Sequence, residues 1–329
     1  MTGQNPFSQH ANRYARSMNP FPSLITLPRR LRQPQVRDLA WALFAAPLLS
    51  VAPWRQRHPL AASDWTTAAL QQWLEDLDRT PAPLLQWLTH GNTRRLGVYY
   101  ERLWQFALSQ APGVELLAAN LPIREGGHTL GELDMVLRDR DGVHHLELAI
   151  KLYLGPDHGD GTQAMHWLGP GCQDRLGLKL GHLSEHQLPM AARPQSIAAL
   201  EALGIGPSES HLWLTGYLFY PWGFACAAPA GANPQHLHGQ WLHRRDWQAF
   251  AASRPSGAWQ PLAREAWLGP ARCGADEGWS AERFDDWRHA LEPLARAQMV
   301  VRMVEDGSGE YHEAERLFLV ADSWPQLAT

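Results

Sequence analysis

The sequence predicts an α/β fold of the mixed-sheet, α+β kind, and three observations carry that prediction. Between Leu130 and Leu154 two apolar-rich runs flank Asp139-Arg140-Asp141-Gly142, and Asp-Gly between such runs signals a β-hairpin. HLWLTGYLFY (211–220) is almost continuously apolar, as a strand covered on both sheet faces must be. Helical periodicity fills the chain before the first strand and again between the hairpin and 211–220.

In order, residues 1–34 read as a flexible or loosely docked lead-in with a basic cluster of Arg29, Arg30, Arg32 and Arg37. VRDLAWALFAAPLLS (36–50) is helical until Pro47. Ser63-Asp64 offers an N-cap pair to a helix carrying Leu70, Trp73, Leu74 and Leu77, and a short helix spans 82–89. Residues 35–91 thus form a helical N-terminal extension without a pattern that points to chemistry. Asn92-Thr93 caps the next helix, RRLGVYYERLWQFALSQ, whose buried stripe is Leu96, Tyr99, Tyr100, Leu103, Phe106 and Ala107. Glu101 lies off that stripe, either solvated at its edge or aimed at something.

VELLAANLPIR (114–124) reads as a strand, followed by a glycine-rich turn and the hairpin, which Gly155-Pro156 ends. The loop 155–171 holds Gln163, His166 and Trp167, and its length favours a functional or mobile role. A helix over 172–188 follows, with Leu176, Leu180 and Leu183 buried and Gln187 next at the same spacing. Beyond 211–220 the sequence predicts a strand at 236–243, a helix at 245–252, a Pro/Gly-rich loop at 254–278 and a helix at 281–297. A last hairpin turns at Asp306-Gly307, with Glu313 and Glu315 on its solvated face. Residues 92–222 make the core and 223–329 a C-terminal extension packed on it.

Composition bounds the function. With 45% apolar and 19% charged residues the chain is globular. A net charge of −4 excludes a uniformly basic nucleic-acid binder, so any such contact needs a local patch. Three cysteines without a CxxC indicate neither a disulfide framework nor a zinc knuckle. No run approaches the roughly 18 apolar residues of a membrane span and the N-terminus is polar, so the expectation is a cytoplasmic protein of bacterial type with no membrane association.

The hairpin gathers the chemistry. A four-residue loop over 139–142 sets Asp134 directly opposite Glu147; a two-residue Asp141-Gly142 loop sets it opposite Ala149, with Glu147 diagonal. Side chains alternate with period two, so both registers leave the two carboxyls on one face. Lys151 shares that face. Lysine occurs only at 151 and 179, close together, and all other basic side chains apart from histidines are arginines. Arg175, Lys179, His182 and His186 fall at i, i+4, i+7 and i+11, either as a solvated face or as a row of phosphate contacts. His236, His238 and His243 alternate along a strand without a ligand partner and read as solvated.

Paired carboxyls with a lysine suit a divalent-metal phosphodiesterase. Asp134 and Glu147 would hold Mg²⁺ or Mn²⁺, Lys151 would orient the attacking water, and Glu101 could complete the coordination through a water. Two alternatives stand beside this: a protein that binds nucleic acid without cutting it, and a structural or interaction protein with no catalysis.

The segments VRDLAWALF, LGVYYERL, GELDMVL, LELAIKLYL, DRLGLKLGHL and ERLFLV resemble an uncharacterised bacterial family of unknown function grouped with the PD-(D/E)XK nuclease superfamily. The element order resembles that superfamily's α-β-β-β-α-β core, a restriction-endonuclease-like unit. The resemblance implies Asp134 and Glu147 as metal ligands, Lys151 as the catalytic lysine, and Glu101 and Gln187 as auxiliary residues. The chain departs from the pattern at one place: two residues before the lysine, where the second acid belongs, stands Ala149. Glu147 is four residues before it, roughly 13 Å along an ideal strand; a bulge or twist could close part of that gap, and otherwise Lys151 would serve another phosphate or the site would be incomplete.

Overall fold

The computed structural model describes residues 19–89 and 95–325; the Asn92-Thr93 cap lies outside the described residues. Residues 19–34 are short 3₁₀ turns whose Phe21, Leu24, Leu27 and Leu31 are buried in the main core, so this part of the lead-in is docked. Arg37, expected in a basic cluster, is buried and donates to the carbonyls of Leu31 and Arg32.

Helix α1 (Pro34–Phe44) begins with its proline in the first turn and ends at Ala45, which turns extended before Ala46-Pro47. Every residue from Val36 to Phe44 is buried. Helix α2 (Thr67–Arg79) is capped by Thr66, whose hydroxyl accepts from Ala69 N, rather than by Ser63 or Asp64. Then come α3 (Ala82–Thr89) and α4 (Leu96–Gln110).

Strands β1 (Glu115–Glu125), β2 (His128–Asp139) and β3 (Gly142–Leu154) form an antiparallel meander. Met135 pairs with Leu146 and Asp139 with Gly142, the register of the four-residue loop. After β3 come α5 (Leu176–His182) and α6 (Pro194–Ala202), and then β4 (Glu209–Pro221), which lies parallel to β3. The remaining elements are β5 (Leu237–His243), α7 (Trp247–Ala252), β6 (Ala258–Pro261), β7 (Arg272–Gly274), α8 (Ala281–His289), β8 (Gln298–Glu305) and β9 (Glu310–Val320). One mixed sheet results, ordered β1-β2-β3-β4-β5-β9-β8-β6, with β7 beside β9.

Alternation along β3 divides the molecule. Leu146, Leu148, Ile150 and Leu154 face the main core with α1 to α4, while Ala149 and Tyr153 face a second core with Leu176, Leu183 and Leu188. Strand β3 is therefore covered on both sides. Lys151 pairs with Gly216 on β4, where φ is +136° and a Cβ would stand 1.8 Å from the Lys151 carbonyl oxygen. Only glycine lets the strands meet there.

Two expectations for the C-terminal part are corrected. The stretch 254–278 contains β6 and β7, whose four and three residues are too short to leave a periodic signal. Glu313 is not solvated: both its oxygens take the buried Arg316 guanidinium at 2.6 and 2.8 Å, and Oε2 also accepts from Ala271 N. Arg316 further donates to the carbonyls of Trp267 and Gly269, so the ion pair is fully hydrogen-bonded within the core.

Candidate active site

The site is built where strands β2 and β3 part. Their ladder runs from Asp139–Gly142 up to Met135–Leu146 and stops one pair short of Asp134 and Glu147. The Leu148 amide, left without a strand partner on that side, donates to Asp134 Oδ2 at 3.0 Å. Toward β1 the ladder passes from Ala119–Met135 to Leu121–Leu133, and the skipped Asn120 adopts a left-handed φ of 51°, a conformation asparagine tolerates better than most residues. Asp134 thus sits in a gap on both sides of its strand.

Other elements reach into this gap from both sheet faces. From α4, Glu101 accepts a hydrogen bond from Asn120 Nδ2 at 3.3 Å, and Asn120 Oδ1 accepts from Gln105 Nε2 at 2.7 Å. From the opposite side, Gln187 Nε2 donates to Glu147 Oε2 at 2.8 Å, while Gln187 Oε1 accepts from Lys179 Nζ at 3.0 Å. The sequence predicts an unbroken α-helix over 172–188, but α5 ends at His182. Leu183–Gln187 form a π-turn, with Leu188 N donating to Leu183 O. The wider turn carries Gln187 toward Glu147. Such π-turns recur at functional sites.

Glu147 is 1% exposed, and its other oxygen accepts from His145 Nε2 at 3.0 Å while His145 Nδ1 faces the Ser210 hydroxyl. Burial keeps His145 neutral, with its pKa down at about 4. All three carboxyls are pushed upward by burial. Asp134 is raised further by the Glu147 charge, and Glu101 by that of Asp134. The lysines share the same electrostatic neighbourhood. Burial and the Lys179 charge lower the pKa of Lys151, while Asp174 and Glu101 raise it. Among the described residues Lys151 donates to no group, so its ammonium is uncommitted.

The structure therefore brings Glu101, Asp134, Glu147, Lys151, Lys179 and Gln187 into one cluster, and His182 touches it through Gln187 at 3.3 Å. It leaves the rest of the predicted donor row outside. Arg175 caps α5 and donates to Met165 O, and His186 is exposed with its ring 5.3 Å from that of His182. His236 is held by Tyr220 and Asn233, and His243 bonds to Trp324 O. Of the bulge or twist that could shorten the span from Glu147 to Lys151, the bulge is absent, because the register of β3 with β4 runs unbroken from His144 to Leu154. Asn120, Gln105, His145 and Asp174 escaped the sequence reading. Only His145, two residues before Glu147 on one strand face, left a usable signal there.

A 610 Å³ cavity lies elsewhere, lined by Arg37, Asp38, Leu85, Leu88, Tyr99 and Gly269. Two carboxyls line it, Asp38 and Glu265, and Asp38 already accepts from the Tyr99 hydroxyl and the Gly269 amide. Its lining holds no lysine, whereas the β2–β3 gap gathers three carboxyls and two lysines.

Residues 37–320, from α1 to the end of β9, match the model of a family described as a domain of unknown function, DUF1853. The chain belongs to the DUF1853 family. No curated protein and no solved structure matches the chain significantly. The DUF1853 match includes every member of the acid–lysine cluster. Among the described residues of this DUF1853 chain no helix is long and apolar enough to cross a membrane.

Proposed function

We propose that this DUF1853 chain is a divalent-metal-dependent nuclease or related phosphodiesterase acting on nucleic acid. One observation carries the reading: three carboxyls and two lysines converge from four elements on the gap between β2 and β3. Carboxyls crowded together out of water repel one another, and a divalent cation relieves that repulsion. Asp134 and Glu147 would hold Mg²⁺ or Mn²⁺, with Glu101 as an auxiliary acid. Bound there, the cation would supply charge to a phosphate oxygen and acidify an attacking water. Lys151, uncommitted to any other group, orients that water or stabilises the developing negative charge. Gln187 positions Glu147, and Lys179 positions Gln187. Arg175, His182 and His186, exposed beside the cluster, are the phosphate contacts.

The order α4-β1-β2-β3-α5-α6-β4, the α-β-β-β-α-β pattern with one added helix before β4, supports the PD-(D/E)XK resemblance. The departure at Ala149 has a physical answer in Glu101. It senses the charges of both Asp134 and Lys151, which supports a role for it as the auxiliary acid where β3 carries Ala149. Mg²⁺- or Mn²⁺-dependent cleavage of single- or double-stranded DNA or RNA, lost in Asp134→Ala and Lys151→Ala, tests the proposal. Equal activity in those variants overturns it.

A second reading, binding without cutting, is favoured by the engagement of Glu147, whose two oxygens are taken by His145 and Gln187. Salt-sensitive binding with no cleavage under either cation separates the two.

A further inference from the structure

A second cluster lies at the opposite end of the hairpin, on the other face of β3. The parallel register sets His144 beside Glu209, and His211 follows Glu209 two residues later on the same face of β4. One ligand atom from each of His144, Glu209 and His211 lies within 4.8 Å of the others. The two rings are 4% and 7% exposed, with centroids 5.2 Å apart.

The hydrogen bonding of these rings is incomplete. His144 Nε2 donates to Asp139 Oδ1 at 3.2 Å, which leaves the lone pair on Nδ1, and that buried Nδ1 has no partner among the described residues. Neither nitrogen of His211 is hydrogen-bonded, though both are buried; its Nε2 lies 3.7 Å from Glu209 Oε2. Buried polar atoms are nearly always satisfied, so three orphaned ring nitrogens in one spot call for a partner. A carboxylate donating orientation to a histidine whose far nitrogen is free is the arrangement that prepares imidazole for a metal. The nearby cations do not block it. Arg57 is held by Asp139 at 2.5 Å and Asp141 at 3.1 Å. Arg55 pairs with Glu209 between side chains 59% and 60% exposed, and an ion pair in water is readily exchanged.

We propose that His144, His211 and Glu209 bind a zinc-class divalent transition metal, with Asp139 orienting His144. Two imidazoles and one carboxylate match zinc's preference for nitrogen and oxygen donors, and the exposed side of Glu209 leaves a position for water. The metal clips the turn of the β2–β3 hairpin to the start of β4, and so steadies the arm that bears Asp134 and Glu147. The site does not depend on the nuclease reading.

Tag-free protein titrated with Zn²⁺ by calorimetry, and with Co²⁺ by its visible absorption, tests this. With Mg²⁺ in excess to occupy the Asp134–Glu147 carboxyls, the expected result is one equivalent with a tetrahedral or five-coordinate cobalt spectrum, and a melting temperature that rises with zinc. Affinity should fall at least tenfold in His211→Ala and in Glu209→Gln, the second being an exposed position that leaves the fold intact. Asp134→Ala should bind as the parent does. Absence of stoichiometric binding overturns the proposal, as does binding lost in Asp134→Ala but kept in the other two.

Discussion

Replacing Asp134 by asparagine separates the stability of the site from its chemistry. The carboxyl is pushed up to about 8, chiefly by burial and then by the Glu147 charge, against an ordinary value of about 3.9. Below pH 4 the folded and unfolded chains both hold the proton. As pH rises from 4 toward 8 the unfolded chain releases it and the folded chain does not, so stability falls with pH across that window. At about 1.36 kcal/mol per unit, the upper figure at pH 7 is roughly 4 kcal/mol. Asp134 is half-buried rather than sealed, and solvent screening reduces the expectation to about 1–3 kcal/mol. The asparagine side chain still accepts from Leu148 N and can donate to Glu147. Asp134→Asn should therefore be more stable than the parent without metal, by an amount that grows from pH 4 to 8, while metal-dependent activity disappears. Thermal melts in chelator at several pH values measure it. A variant no more stable than the parent at pH 8, or an advantage that is flat in pH, refutes the idea that crowded buried charge organises this site.

Three further outcomes follow from single contacts. Gly216→Ala should lower stability by about 2–4 kcal/mol, since the new Cβ meets the Lys151 carbonyl and the backbone is left-handed; denaturant melts with an unchanged midpoint would contradict it. Arg316→Met strands buried Glu313 and should cost about 3–5 kcal/mol, with part recovered when Glu313→Leu is added; a double variant no better than the single one excludes the coupling. His58 is buried with Nε2 bonded to Leu43 O and Nδ1 accepting from Leu60 N, and burial lowers its pKa to about 4. Its contribution is present above pH 6.5 and is lost as pH falls toward 4, because the unfolded chain takes the proton first. His58→Gln should flatten stability against pH in that window, and an unchanged slope would show that another group titrates there.

What the sequence determined by itself is local. Turn chemistry at Asp139–Gly142 and period-two alternation place Asp134 and Glu147 together, and the structure adopts the register of the four-residue loop, although its ladder ends one pair before them. Helical spacing located α1 to α4, and the unbroken apolar run located β4. Even the clustering of the two lysines was visible, and both lie at the site. Tertiary structure decided whatever depends on partners distant in the chain. The unpaired backbone at Asp134, the π-turn that delivers Gln187, and the left-handed Asn120 that holds Glu101 leave no periodic trace. Glu313 and Glu315 read alike along one strand, yet Glu313 is buried because Arg316 and the chain at 267–271 close over it. Periodicity reports which face a side chain takes. What covers that face, and hence whether an acid there is solvated, paired or crowded into a site, is settled only when the helices on both sides of β3 are in place.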